Sequence, residues 1–173
     1  KRTRDDPRAK TLTRSALVFA VCVAPLLTAC AGKAPPPETR LTLDVVASAE
    51  INPDPSGRPS PVALSVLQLK TVDAFMNADF FSVADPANPA LAKEVVGREE
   101  ITLKPGETRQ VPVKVDAAAT YIGVIAAFRD IEHASWRAQL PLPVPRKGAS
   151  GPQDVTLTIR IDALRVSLQP KSQ

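Results

Sequence analysis

Apolar and polar residues alternate over long stretches of the chain after residue 40. Between Leu41 and Ile51 every second residue is apolar, and most of the residues between them are polar. This period of two is typical of a strand that buries one face. Further strands are predicted over residues 62–70, 101–103 and 109–115.

The second half of the chain continues the strand pattern. Residues 104–107 place proline and glycine as a β-turn requires, so we expect a hairpin there. Residues 121–128 are apolar on both faces, which predicts a central strand covered on both sides. The next strand, over residues 136–142, is predicted to end at a sheet edge because prolines stand at 141, 143 and 145. The alternation in residues 155–168 changes phase at Asp162-Ala163, which predicts a bulge or a tight bend.

The segment between the second and third predicted strands has helical features instead. Thr71 is a candidate N-cap, and Asn88 followed by Pro89 is a typical helix start. Gly97 is a candidate C-terminal stop. We therefore predict a helical insertion at about residues 71–97 within a domain spanning residues 41–170. Seven or eight strands with this insertion favour a mainly β fold, a two-sheet β-sandwich.

The N-terminal residues have the pattern of a lipoprotein signal peptide over residues 1–29. A basic run is followed by an apolar stretch that is too short to span a bilayer, which needs ~20 residues. Leu27-Thr28-Ala29-Cys30 resembles the bacterial lipobox, which makes Cys30 the predicted lipidation site. Lipoproteins retained at the inner membrane often have Asp after this cysteine, so the resemblance implies export to the outer membrane for a chain with Ala31 there. Residues 30–40 then form a predicted tether that contains three consecutive prolines.

Charge and cysteine content give few leads to chemistry. Residues 1–29 hold six of the 22 basic residues and two of the 18 acidic residues, so the remainder is formally neutral. A neutral domain does not favour nucleic-acid binding. Cys22 lies in the predicted signal peptide, which leaves no disulfide pair and no cysteine cluster for a metal.

Catalytic residues are sparse as well. His133 is the single histidine of the chain and stands near Asp130 and Glu132. Such a group could act as a base or bind a metal, but a surface loop between two strands is the strongly favoured interpretation. The neighbouring pair Glu99-Glu100 is interpreted as part of a solvated strand. We therefore expect no enzyme activity and no metal site.

One loop, residues 52–61, is not explained by folding alone. It holds four prolines and one glycine in ten residues and carries Asp54 and Arg58 at its tip. A stiff, preorganised loop loses less entropy when it docks on a partner. An ordinary proline-rich surface loop is the alternative interpretation.

Four segments stand out along the chain. They are ASAEINPDPSGRPSPV at 47–62, LQLKTVDAFMNADFFSV at 67–83, LKPGET at 103–108 and YIGVIAAFRDIEHASWR at 121–137. Taken together, they resemble the type VI secretion system outer-membrane lipoprotein family (TssJ, VasD-like). The predicted lipobox also stands where this family has it.

The resemblance implies a transthyretin-like β-sandwich held in the inner leaflet of the outer membrane, facing the periplasm. Diacylglycerol and an N-acyl chain such as palmitate would be attached to Cys30, with no other cofactor. The implied partner is the periplasmic C-terminal region of the inner-membrane protein TssM, which works with TssL. The loop after the first strand is implicated in that contact, and here its candidate residues are Asn52, Pro53, Asp54, Gly57, Arg58 and Pro59. Asp54 and Arg58 are expected to supply specificity.

A small-ligand-binding periplasmic lipoprotein is the alternative function. It would require an apolar cavity between the sheets. Gly123, Ala126 and Ala127 are small enough to leave one, although they also suit close packing of the sheets.

Overall fold

A computed structural model describes residues 39–143 and 152–171. Eight strands and three short helices form in this part of the chain. The strands are β1 (Thr39–Ala47), β2 (Val62–Leu69), β3 (Val95–Leu103), β4 (Thr108–Lys114), β5 (Tyr121–Ala126), β6 (Arg137–Pro141), β7 (Gln153–Asp162) and β8 (Arg165–Pro170). The helices are α1 (Asp73–Asn77), α2 (Phe80–Ala84) and α3 (Pro89–Ala92). The predicted signal peptide, Cys30 and all of the predicted tether except residues 39 and 40 lie outside the described residues.

The strands form two four-stranded sheets. The first sheet has the order β4-β1-β7-β8, and the second has the order β3-β2-β5-β6. All neighbours are antiparallel except β1 and β7, which run parallel. The predicted mainly β, two-sheet fold with a small helical insertion is confirmed.

The core between the sheets consists of the apolar positions that alternate along the strands. In the first sheet, Leu43 and Val45 of β1 and Ile159 of β7 have no exposed surface. Leu64 of β2 and Ile122 of β5 face them from the second sheet and are equally buried. Each such side chain stabilises the fold by about 1.5–3 kcal/mol relative to an exposed position.

Strand β5 is covered on both faces, as its apolar sequence predicted. One face contributes to the core between the sheets, and the other packs under the helical layer with Phe75 and Leu91. Gly123 is required for this packing, because a Cβ there would lie 2.9 Å from Leu69 Cδ1 and 2.9 Å from Phe75 Cζ. The small residue therefore brings helix α1 close to the sheet.

The helical insertion ends earlier than predicted. Strand β3 already begins at Val95, so Gly97 does not stop a helix. Gly97 instead makes room for the side chain of Gln68, whose Nε2 would lie 2.8 Å from a Cβ at this position. The buried Gln68 amide donates to the carbonyl of Lys114 and accepts from the amide of Asp116, so it links the two sheets.

The start of α1 also differs from the prediction. Thr71 does not cap the helix, and the buried carboxylate of Glu94 does so from just before β3. Glu94 accepts from the amides of Ala74 at 2.9 Å and Phe75 at 3.1 Å, and from the hydroxyl of Thr71 at 3.0 Å. Burial by itself would raise the pKa of Glu94, but these hydrogen bonds outweigh it and hold that pKa below its usual value.

The predicted hairpin between β3 and β4 is wrong. A turn does form at residues 104–107, with Gly106 at φ 74°, but the two strands belong to different sheets. The turn is tied to β1 because Ala47 donates to the carbonyl of Glu107. A local turn sequence reverses the chain but does not specify which sheet the next strand joins.

The tight bend at Asp162-Ala163 is confirmed, since β7 and β8 pair antiparallel across it and Ala163 has φ 47°. Strand β6 is an edge strand, as its prolines indicated. The first strand ends at Ala47 rather than at Ile51, which is buried within the following loop.

We expect Glu94→Gln to lower the free energy of unfolding by about 1–3 kcal/mol at neutral pH, because an amide replaces the carboxylate that caps α1. The folded state lowers the pKa of Glu94, so its contribution is complete above the unfolded pKa of about 4.3 and is lost as the pH falls through the folded value. The difference in the free energy of unfolding between wild type and variant should therefore shrink as the pH is lowered. Urea unfolding series taken from neutral to acid pH measure it.

The matched control is Glu99→Gln, an exposed carboxylate on β3. It should change stability by less than about 0.5 kcal/mol. If the loss of unfolding free energy in Glu94→Gln stays constant with pH, the ionised carboxylate does not have the assigned role.

Candidate docking site at one end of the sandwich

The loop over residues 48–61 connects β1 in the first sheet to β2 in the second. It lies at the end of the sandwich opposite Thr39, because β1 runs the length of the first sheet between the two. Turns 104–107 and 163–164 and the loop 127–136 lie at the same end, which is called the loop end below. Backbone hydrogen bonds from Gly106 to Ser48 and from Asn52 to Ala163 join three of these connections.

Asn52 is the residue that holds the loop in place. It is 3% exposed and has φ 49°, a left-handed conformation that asparagine accepts better than most residues. Its Nδ2 donates to the carbonyl of Pro61 at 2.7 Å, and its Oδ1 accepts from the amide of Arg129 at 2.8 Å. One side chain therefore closes the loop and ties it to the loop before β6.

The burial of Asn52 corrects its predicted role. A side chain that is fully engaged inside the domain does not offer its amide to a partner. Asn52 is a positioning residue that orients the exposed part of the loop.

Asp54 organises the tip of the loop. Its Oδ1 accepts from the amides of Ser56 at 2.8 Å and Arg58 at 3.0 Å, and its Oδ2 accepts from Arg58 Nε at 2.8 Å. The amide and the guanidinium of Arg58, together with the amide of Ser56, hold the pKa of Asp54 below its usual value. Gly57, at φ 76°, completes the turn by donating to the carbonyl of Asp54.

The residues at the tip differ in how much they expose. The side chain of Arg58 is 80% exposed, whereas that of its partner Asp54 is 15% exposed. Gly57 and Pro59 are exposed, and Pro53 is half-buried. The loop therefore presents proline rings and one guanidinium to solvent.

The residues considered for catalysis lie in the neighbouring loop and do not converge in a pocket. His133 Nδ1 is 2.8 Å from Asp130 Oδ1, and the side chains are 76% and 48% exposed. This contact raises the pKa of His133. Glu132 is exposed, and the described ranges contain no group of three or more potential metal ligands.

Arg137 has a structural role that the sequence did not indicate. Its Nη1 donates to the carbonyls of Phe75 at 3.0 Å and Ala78 at 2.8 Å, where α1 ends. The guanidinium also lies over the ring of Trp136, 4.7 Å from its centroid. Trp136 is half-buried and packs against both the core between the sheets and the apolar residues under the helices.

The interior cavity considered for a small ligand does not form around Gly123. Phe75 and Leu69 fill that position, Ala126 is buried in the core, and Ala127 is exposed. A recess of about 1090 Å³ lies instead at the opposite end, among strand ends that include those of β1, β4 and β6. Among the residues that the structure describes, no helix has the length and apolar character needed to cross a bilayer.

Fold and site together define a small two-sheet β-sandwich that presents a preorganised loop at one end. A family model for type VI secretion lipoproteins (T6SS-SciN; VasD, EvfM, TssJ) matches residues 39–164. The chain belongs to this family. No protein of curated function is significantly similar to it in sequence.

Solved structures agree with this assignment. The crystal structure of the T6SS lipoprotein TssJ1 from Pseudomonas aeruginosa matches with a TM-score of 0.70 and 30% identity, over 79% of this chain and 99% of that chain. A structure described as a type VI membrane complex matches with a TM-score of 0.63 and 26% identity, over 78% and 98% of the two chains. One described as the T6SS protein TssM C-terminal domain (869-1107) from EAEC matches with a TM-score of 0.59 and 26% identity, over 75% and 99%.

Replacing Asn52 separates its two contributions to the loop. Asn52→Ala should lower the free energy of unfolding by roughly 2–4 kcal/mol, since it removes both hydrogen bonds of a buried side chain and adds left-handed backbone strain. Asn52→Gly removes the same hydrogen bonds without that strain and should cost about 1–2 kcal/mol less than alanine. Urea unfolding measures both.

Asn77→Ala, at an exposed helix end, is the control and should have a small effect. Equal losses for Asn52→Ala and Asn52→Gly would show that backbone strain at position 52 contributes nothing.

Proposed function

We propose that this chain is the outer-membrane lipoprotein of a type VI secretion membrane complex and that its role is mechanical rather than catalytic. Lipid on Cys30 would hold it in the inner leaflet of the outer membrane. The exposed part of the loop would bind the periplasmic C-terminal region of TssM, in a complex that also contains TssL. The preorganised loop at the loop end is the observation that carries this proposal.

The direction of β1 supports the proposed arrangement. The predicted tether enters the domain at Thr39, and the loop follows Ala47 at the other end of the strand. At about 3.3 Å per residue, the nine residues of β1 separate the two ends by roughly 26–30 Å. A lipid attached before the tether would thus leave the loop pointing away from the membrane and toward a partner in the periplasm.

The contacts of the loop support a binding role for its tip. Asn52 and Asp54 hold the loop in one conformation, so little entropy is lost when a partner binds. Arg58 binds Asp54 through its Nε and Nη2 atoms. Its other guanidinium N–H groups are available for carboxylate or carbonyl oxygens of a partner. Pro53, Gly57 and Pro59 would supply shape and rigidity around this group.

The solved relatives also support the proposal. One matching structure is described as a type VI membrane complex and another as a TssM C-terminal domain, so the fold occurs in that setting. Anchoring would further strengthen a weak contact, because two proteins held between facing membranes meet at a high effective concentration.

Arg58→Ala should weaken binding of the purified periplasmic region of TssM by at least about tenfold, which is the effect expected for the loss of a hot-spot arginine from an interface. Arg58→Lys keeps the charge but not the planar fork and should bind with intermediate affinity. Isothermal titration calorimetry with the full chain in detergent measures both.

Arg40→Ala is the matched control, since Arg40 is exposed at the opposite end of the sandwich. If both alanine variants bind as wild type does, the contact lies away from the loop tip.

Cys30→Ser should release the protein from the outer-membrane fraction, because the hydroxyl does not replace the thiol that carries the lipid. Several acyl chains, at about 0.8 kcal/mol per buried methylene, hold the wild-type protein in the membrane. Fractionation with mass spectrometry of the N-terminal peptide tests this, and Cys22→Ser is the control. Retention of Cys30→Ser in the membrane fraction would argue against a lipid anchor at this residue.

A further inference from the structure

We propose a second contact surface for the same polypeptide partner, on the outer face of the second sheet. This surface, called the shelf, has a floor of Ala63, Ile125 and Ala127 and a wall of Phe80, Ala84 and Pro86. It would receive an aliphatic or aromatic side chain of the partner. The inference rests on the proposed function and deepens it.

The shelf exists because the helical layer covers only part of this sheet face. Leu67 and Leu69 of β2 lie under the helices and have no exposed surface. Closer to the loop end, Ala63 and Ala127 are exposed neighbours, with the amide of Ala127 donating to the carbonyl of Ala63 at 2.8 Å.

The small side chains leave an apolar depression of about 350 Å³. This size falls at the lower end of the ~300–1,000 Å³ range of binding pockets.

One residue of the wall, Phe80, is positioned by aromatic contacts. The ring of Phe80 meets Trp136 edge-on at 5.3 Å and Phe81 at 5.5 Å between centroids. Phe81 itself is 73% exposed. Aromatic side chains contribute strongly to interfaces because each can bury a large apolar area.

The shelf is continuous with the loop. Ala63 follows Pro61 by two residues, and Ala127 precedes Arg129 by two. Pro61 and Arg129 are the two residues to which the Asn52 side chain is bonded. The shelf therefore lies next to the base of the loop, which is the reason for assigning both contacts to one partner.

The polar edge of the shelf favours an apolar occupant. Glu100 accepts from the hydroxyl of Ser65 at 2.9 Å and from Arg98 Nη1 at 3.3 Å, so the charges at this edge are paired with each other. They leave no isolated charge to select a charged side chain. Burial of an apolar group on the alanine floor is the remaining source of affinity.

Ala127→Gln tests the shelf by placing a larger polar side chain on its floor. Binding of the purified periplasmic region of TssM to the full chain in detergent should weaken by at least about tenfold in calorimetry. Ala127→Ser, of similar size, should stay within about twofold of wild type. Ala118→Gln makes the same change at an exposed residue between β4 and β5 and should bind as wild type does.

The outcomes separate this inference from the proposed function. Wild-type affinity in Ala127→Gln, alongside weakened binding in Arg58→Ala, would overturn the shelf and leave the loop contact standing. No binding by the wild type would overturn both. Ala63→Gln repeats the test from β2 in case Ala127→Gln shifts the unfolding midpoint, and the shelf requires weakened binding in this variant too.

Discussion

The burial of β2 and β5 on both faces is the constraint on which the rest of this structure depends. A sheet that is apolar on both faces requires a second layer, and the three short helices provide it. Gly123 lets α1 approach the sheet, Glu94 caps its first turn and Arg137 binds its last carbonyls. The helices are too short to be stable alone, so these tertiary contacts hold them in place. Where the layer stops, the sheet face is left open beside the loop.

The loop depends on a different kind of contact. Its prolines limit the conformations of the free chain, but the position of the loop is determined by one buried amide. The side chain of Asn52 is hydrogen-bonded to Pro61 and Arg129 at once, and its backbone N–H donates to the carbonyl of Ala163. These hydrogen bonds therefore fix the position of the loop segment that bears the exposed Arg58. The proposed role of this protein is to connect two membranes through a partner protein. For such a role a preorganised loop is favourable, because less conformational entropy is lost when the partner binds.

Several expectations from the sequence agree with the structure and the comparisons because they rest on local patterns or motifs. The two-sheet fold, the doubly covered β5, the edge position of β6 and the bend at Asp162 follow from periodicity and turn residues. The four motif segments pointed to the type VI secretion lipoprotein family, which the family model confirms over residues 39–164. The predicted lipid anchor and the loop contact with TssM stay predictions, supported by this membership and by the placement of the loop.

The amino-acid sequence by itself determined most of the strands, the stiff loop and the family, since each depends on a pattern among neighbouring residues. Only the tertiary structure decided which sheet β4 joins, why Gly97 is needed and what Asn52, Glu94 and Arg137 bind. The physical reason is the distance along the chain between the partners. Asn52 and Arg129 are 77 residues apart, Phe75 and Arg137 are 62 apart, and Gln68 and Asp116 are 48 apart. Such hydrogen bonds leave no local pattern, and they form only when packing of the core brings the partners together.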